Sequence, residues 1–225
     1  MPDSAQPVAT AGAKGAGSAA DELTQGRASY NTGRERLANI LAAAKQLFIE
    51  EGMAAFSMRR LAREVGISVG NLTYYYPNKD ALLSDLMRYV IEPYLIRFAE
   101  FREAAGTNAE QQLRAVLEYV IEDLATYETT HFFPELWVLA NRDEQAKAHM
   151  AALYAEYRGV MEEIIAAMRT DLPQQQIEDL ALIIQCSIEG HTMFVGHDRT
   201  HRSRLPAVKA RLVEHCIALV NGAEN

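Results

Sequence analysis

The sequence predicts an all-α chain of two domains, a small three-helix unit followed by a larger helical one. Apolar residues recur at three- and four-residue spacing along nearly every segment. No segment alternates apolar and polar residues as a half-buried strand would. A chain of 225 residues is also long enough to build a second core beside a small first one.

The first 26 residues are rich in Ala, Gly, Ser and Pro, lack an apolar run of seven, and have no basic opening. Neither a signal peptide nor a membrane span is expected, so the protein is read as cytoplasmic. Residues 1–30 are read as a disordered arm. Thr32 and Glu35 have capping-box spacing, and Leu37, Ile40, Leu41, Ala44, Leu47 and Phe48 form one stripe on a helix of about residues 33–51, ended by Gly52. Ser57 caps a second helix carrying Leu61, Ala62 and Val65 inward. Gly66 breaks it, because glycine enters the left-handed region without steric cost, and Ile67 plugs the angle that follows. Ser68 caps a third helix, Val69 to about Tyr76, with Leu72 and Tyr76 inward and Val69, Gly70, Asn71, Thr73, Tyr74 and Tyr75 outward. So short a helix does not persist alone in water and needs the other two as a clamp. Residues 31–78 therefore form the first domain.

Residues 79–225 form the second. Asn78 caps a helix with Leu82, Leu83, Leu86, Met87 and Val90 in step, continuing through Leu95 and Phe98 past an expected kink at Pro93. Asn108 opens a helix carrying Leu113, Val116, Leu117, Val120, Ile121 and Leu124. Thr129 to Phe133 reads as a break, and Pro134 as the start of a short helical piece through Leu139. Asp143 caps a long helix to about Met168, and Leu172-Pro173 marks a connection. Ile177, Leu180, Ala181, Ile184 and Ile188 define the next helix, which runs into Gly190 and on toward Val195. Gly196 to Arg204 reads as a loop, and Pro206 starts a last helix that ends near Gly222. The helix from Ile177 is apolar on two sides, so it is read as having two partners, its own core and the same helix of another subunit. Cys186 and Cys216 lie inside apolar patterns and read as buried free thiols, not a disulfide framework.

The net charge of −8 is unevenly spread. Residues 27–90 hold nine basic against six acidic residues, whereas residues 91–225 hold 12 basic against 21 acidic. A basic head on an acidic body suits an encounter with a polyanion that orients the head toward it. The outward face of the third helix suits the major groove of a DNA duplex. Arg59, Val69, Gly70, Asn71, Thr73 and Tyr74 are the candidate base readers: Asn71 can pair bidentately with adenine, Arg59 can reach guanine, and methyls of Val69 or Thr73 can pack on thymine. Arg34, Ser57, Tyr75 and Lys79 are the candidate phosphate contacts, with Ser68 completing the DNA-binding set.

The run from Ile40 to Leu83 contains Ala-Ala-Ala-Lys-Gln-Leu-Phe, Gly52, Ser57 through Leu72, Tyr76 and Asn-Lys-Asp-Ala-Leu-Leu. It resembles the amino-terminal domain of the TetR family of bacterial transcriptional regulators. The family usually has tyrosine where Thr73 stands and more often phenylalanine at Tyr76, so a phosphate contact passes to Tyr74 or Tyr75, or the base preference differs. The resemblance implies a homodimer paired through its last two long helices, a palindromic double-stranded operator, and release by a small-molecule effector. A candidate pocket for a mostly apolar ligand is the cluster Phe132, Phe133, Trp137, Met150, Tyr154, Tyr157 and Met193, with His131, Glu135 and Asn141 as nearby polar groups. His191, His197 and His201 lack a cysteine or carboxylate at tight ligand spacing, so no metal is assigned. No phosphate-cradling glycine loop or nucleophile elbow appears, so neither cofactor nor enzymatic activity is expected. The expectation is a DNA-binding transcriptional regulator, a repressor released by its ligand. The alternative is a helical ligand-binding or protein-interaction module with weak or no specific DNA binding.

Overall fold

The computed structural model describes residues 16–223, with side chains described for 33–52 and 56–223. The chain divides into two compact units, residues 1–40 and 41–225. Ten α-helices and no strand occur among the described residues, as the periodicity predicts. α1 spans Ala16–Ala55 with a non-helical Gly52 near its end. The first helix thus begins well before the capping box expected at Thr32 and Glu35. Of the arm expected over 1–30, residues 1–15 lie outside the described residues, and the backbone from Ala16 onward is helical. In the first unit Ile40 is buried and Leu37 half-buried.

The second unit opens with Ala44, Leu47, Phe48 and Ile49 of α1, all buried. α2 (Met58–Val65) starts at Ser57, whose hydroxyl oxygen accepts from the Arg60 amide at 3.1 Å. It ends in a Schellman turn. Gly66 sits at φ 73°, its N–H donating to Arg63 O, while the Ile67 N–H donates to Ala62 O at 2.9 Å. α3 (Val69–Tyr75) is capped by Ser68, which accepts from the Asn71 amide at 3.1 Å. Leu72 and Tyr76 are buried at 0% and 2% exposure. The Tyr76 hydroxyl donates to Asp85 at 3.3 Å, so the oxygen that tyrosine adds at this inward position has a partner.

α4 (Lys79–Ala105) is capped by Asn78 and runs on through Pro93, where a kink was expected. α5 covers Ala109–Asp123 and starts at its Asn108 cap as predicted. α6 (Tyr127–Ala140) corrects the reading of 129–133 as a break. Thr126 caps it by accepting from the Thr129 amide, and Pro134 lies inside it. Proline removes one backbone donor, and the burial of Phe132, Phe133, Leu136 and Leu139 outweighs that loss. α7 (Glu144–Met168) packs against α4, α5 and α6, and also against α8 (Gln174–Glu189). A short α9 (His191–Phe194) and a 3₁₀ turn at Arg202–Arg204 lead into α10 (Leu205–Asn221), which lies on α5 and α8. Arg169 closes the carboxyl end of α10, donating to Val220 O and Ala223 O at 2.7 Å each.

Gly196 anchors the loop after α9. A Cβ there would lie 2.5 Å from Thr192 O and 2.7 Å from the Thr130 hydroxyl, so no larger residue fits. That hydroxyl donates to Leu124 O and accepts from the His197 amide at 2.9 Å, tying the loop to α6. Cys216 is buried, which pushes its thiol up to about 11. Cys186 is exposed, contrary to expectation. It shares the second apolar side of α8 with Leu182 and Ile183, 47% and 49% exposed, while Ile177, Leu180, Ala181, Ile184 and Ile188 face the core. No helix among the described residues is long and apolar enough to cross a membrane.

Candidate functional site

α3 presents one continuous outward face. Val69, Gly70, Asn71, Thr73 and Tyr74 are all exposed, Tyr74 at 84%, and Tyr75 is half-buried with its ring edge-on to Tyr74 at 5.3 Å. The Thr73 hydroxyl donates back to Gly70 O at 3.0 Å, which leaves its methyl as the outward group. The Asn71 amide plane is anchored through its backbone by the Ser68 cap, and its side chain projects from the first turn of the helix. Base-reading groups need this position in a helix that enters a major groove.

Between the end of α1 and α2, a groove is lined by Glu51, Ser57, Arg59, Arg60 and Arg63. Arg59 and Arg63 are exposed. Arg60 is held by two carboxylates, Glu64 at 2.6 Å and Glu51 through its Nε at 3.1 Å, which push its pKa further up. The sequence count of basic residues therefore overstates the charge on offer here. Arg63, by contrast, was not singled out, although it stands one turn from Arg59 on the same helix. The Ser57 hydroxyl is committed as a helix cap and its oxygen retains a second lone pair. Lys79 is half-buried, its ammonium 5.7 Å from the Phe56 ring, and burial lowers its pKa while Asp143 raises it. Arg34 is exposed in the first unit; the site described here lies wholly in the second.

A second feature lies within the larger helical body. A narrow cavity of about 30 Å³ is walled by Ile91 and Tyr94 of α4, Val120 of α5 and Leu124 just after it, Phe133 of α6, Leu153, Tyr154 and Tyr157 of α7, and Glu189 of α8. Water needs roughly 10–15 Å³, so the space as it stands suits a water or two. A groove of about 220 Å³ adjoins it, sharing Tyr94 and Phe133 and continuing past Tyr119 and Phe132 toward Lys45 and Glu128. Both of those rings therefore border the two volumes. Tyr94 donates to Asp123. Trp137 donates its indole N–H to the Tyr154 oxygen at 2.9 Å, and Tyr154 donates to Glu189 at 3.2 Å. Burial pushes the Glu189 carboxyl up to about 7, the Tyr154 hydrogen bond opposing the shift. The Tyr157 hydroxyl is buried without a hydrogen-bond partner.

Of the seven pocket residues expected from sequence, Phe133, Tyr154 and Tyr157 line the cavity, Trp137 backs it through Tyr154, and Phe132 lines the adjoining groove. Met193 is 52% exposed on α9 and Met150 does not line the cavity. Tyr94 and Glu189 were missed. Glu189 follows Ile188 at the end of an aliphatic helix, which was the one available signal. Among the described residues, no three His, Cys, Asp or Glu side chains are grouped to hold a metal ion.

The family model "Bacterial regulatory proteins, tetR family" matches residues 40–86, which contain α2, α3 and the start of α4. An uncharacterized HTH-type transcriptional regulator from the dhlA 5' region of Xanthobacter autotrophicus is 30% identical over 57% of this chain and 65% of its own length. The HTH-type transcriptional regulator BetI of Stenotrophomonas maltophilia is 31% identical over 39% of this chain and 45% of its own. The chain thus spans about half to two thirds of the length of these curated relatives. A crystal structure of a putative transcriptional regulator from Pseudomonas aeruginosa PAO1 shares the fold at a TM-score of 0.68 and 20% identity, covering 84% of this chain and 90% of that one. Motif and curated relatives converge on one segment: residues 40–86 match the DNA-binding domain of the TetR family of bacterial regulatory proteins, and the chain shares the fold of a solved regulator.

Proposed function

We propose that this protein is a sequence-specific DNA-binding transcriptional regulator, a repressor released from a palindromic operator by a small, mostly apolar ligand. The observation that carries this reading is the α3 face, where Val69, Gly70, Asn71, Thr73 and Tyr74 point outward from a helix whose Leu72 is fully buried. A short helix fixed from behind and bare in front is what groove insertion requires. Residues 31–78 would read DNA, with Arg59 at a base and Ser57, Tyr75 and Lys79 on phosphates; residues 79–225 would bind ligand and dimerise. Arg34, which precedes the matched residues, is assigned a phosphate from its charge in the sequence.

A homodimer through α8 and α10 is supported by the apolar side of α8, where Leu182, Ile183 and Cys186 are exposed. Two copies related by a two-fold would place two α3 faces on half-sites about one helical turn or more apart. The relatives are named as regulators, and we read the cavity as a binding site, not a catalytic one. Such a protein would act where the operator is, in the cytoplasm.

Two routes join cavity and reading head within the second unit. α4 carries Lys79 at its first position and Ile91 and Tyr94 in the cavity wall. A file of rings also runs from Phe56 to Phe48 at 4.6 Å, Phe132 at 5.8 Å, Phe133 at 5.5 Å and Tyr154 at 6.2 Å. A ligand that parts Tyr94 and Phe133 therefore displaces elements attached to the head. It favours whichever arrangement it binds better, by the difference in affinity.

Asn71→Ala and Lys79→Ala test the assignment together. The first is expected to lose about 1–3 kcal/mol of discrimination at one base position. The second is expected to weaken all duplexes alike and lower the salt slope by about one. Competition binding against a set of single-base operator variants separates the two, and an unchanged base preference in the Asn71 variant removes that residue's role.

A further inference from the structure

We propose that the ligand taken by the cavity is a small apolar molecule carrying a protonated primary or secondary amine, its ammonium seated against Glu189 and its body among Tyr94, Phe133, Tyr154 and Tyr157. This rests on the reading of the cavity as the effector site and names the chemistry it selects.

Glu189 ends α8 inside the body, with Tyr154 donating to one carboxylate oxygen at 3.2 Å. Among the described residues no Lys, Arg or His side chain pairs with it, whereas many surface carboxylates have such a partner. A half-buried carboxylate with a single hydrogen bond and no counter-charge is costly. The protein relieves part of that cost in the empty state by holding on to the proton to higher pH, since burial raises the carboxyl to about 7. A bound cation would relieve it instead. The second observation is the Tyr157 hydroxyl, 4% exposed as a residue and without any partner. It faces the same cavity and can accept an N–H. An ammonium with two or three N–H donors can satisfy Glu189 and Tyr157 at once; a quaternary ammonium cannot.

The rest of the wall agrees. Three tyrosines and Phe133 offer π faces, which attract a cation most strongly where water is excluded. The other titratable groups near Glu189 are Tyr94, Tyr154 and Tyr157, with Cys216 behind Tyr157 and His191 two residues on; burial lowers the pKa of His191 and so favours its neutral form. Asp123, which holds Tyr94, is a second acidic side chain lining the adjoining groove. A carboxylate ligand would meet repulsion from both acids.

The chain's single tryptophan reports on the site, because Trp137 donates to Tyr154, which donates to Glu189. The full-length protein is titrated at pH 7.5 with benzylamine, benzyl alcohol and benzoate while Trp137 emission is followed. The expected result is a saturable change with benzylamine, at least tenfold tighter than benzyl alcohol, and none with benzoate. Glu189→Gln is expected to bring benzylamine down to the level of benzyl alcohol, with a melting temperature no lower than the parent's as proof of folding. Equal or tighter binding of the alcohol or of benzoate, no saturable response to any probe, or a Gln variant that keeps the preference would overturn the proposal. Operator binding measured on the same samples separates the two readings. Tight amine binding that leaves the operator complex intact supports the ligand class and counts against ligand-driven release. Release by the neutral alcohol with benzylamine inert does the reverse.

Discussion

Replacing Phe132 by alanine is expected to lower the stability of the protein by about 3–5 kcal/mol, the range for truncating a fully buried aromatic ring. Phe132 is 1% exposed. Its ring stands 5.8 Å from Phe48 of α1 and 5.5 Å from Phe133, while Phe48 lies 4.6 Å from Phe56. The alanine would leave a void shared by the end of α1 and α6, and the main chain around Pro134 can close on it only in part. Proline in a helix already lacks one hydrogen bond, so α6 depends on this packing more than an uninterrupted helix would. Phe132→Leu keeps most of the volume and is expected to cost less than half as much. Urea denaturation at one fixed protein concentration checks both, since dimerisation would make the midpoint concentration-dependent. A loss below about 1 kcal/mol for the alanine would mean that the ring does not fill the core as described.

Glu189→Gln is expected to stabilise the protein at pH 8 and to leave it unchanged near pH 4. The Glu189 carboxyl is raised from its ordinary 4.5 to about 7 by burial. Below about pH 4 the folded and unfolded chains both carry it protonated. Between the two values the unfolded chain releases the proton first, so the folded state is progressively disfavoured as pH rises, and the loss levels off above about 7. The whole effect is on the order of 1–3 kcal/mol, after allowance for the partial exposure of the residue. The glutamine variant has no proton to release and lacks this slope. The difference between parent and variant melting curves cancels the contribution of other groups that titrate in the same window. Parallel curves from pH 4 to 8 would contradict the description of the site. A saturating amine is expected to flatten the parent curve, because the charged carboxylate then has a partner.

The reading head was legible because its determinants are local. Ser57, Gly66, Ser68 and Asn78 each act within four residues of themselves, and all four caps form as the spacing implies. The departure at Tyr76 also resolves locally, through Asp85 on the next helix. Proline was read correctly once and wrongly once: the helix continues past Pro93 as expected, whereas Pro134, read as a start, lies within a helix that tertiary packing carries through. The cavity was legible only in part, because its wall combines helices far apart in sequence. Aromatic clustering found Phe133, Tyr154 and Tyr157 on neighbouring segments, but nothing in the pattern of α4 sets Tyr94 apart from Tyr89, or draws Glu189 toward them. The methionines were drawn in by softness rather than position, and Met193 faces outward. Cys186 shows the same limit: a two-sided apolar helix has no single inward face, and here the thiol lies on the side its own core does not use.

The central claim, that the α3 face reads a specific duplex, is tested most directly by selecting bound sequences from random duplex DNA and measuring the winner by fluorescence anisotropy against random duplex over a range of salt. The account predicts a palindromic sequence bound at least about a thousandfold more tightly than random duplex, with affinity falling steeply as salt rises. Selection that enriches no palindrome, with every duplex bound equally weakly, would contradict it and leave a helical ligand-binding module without a DNA-reading role.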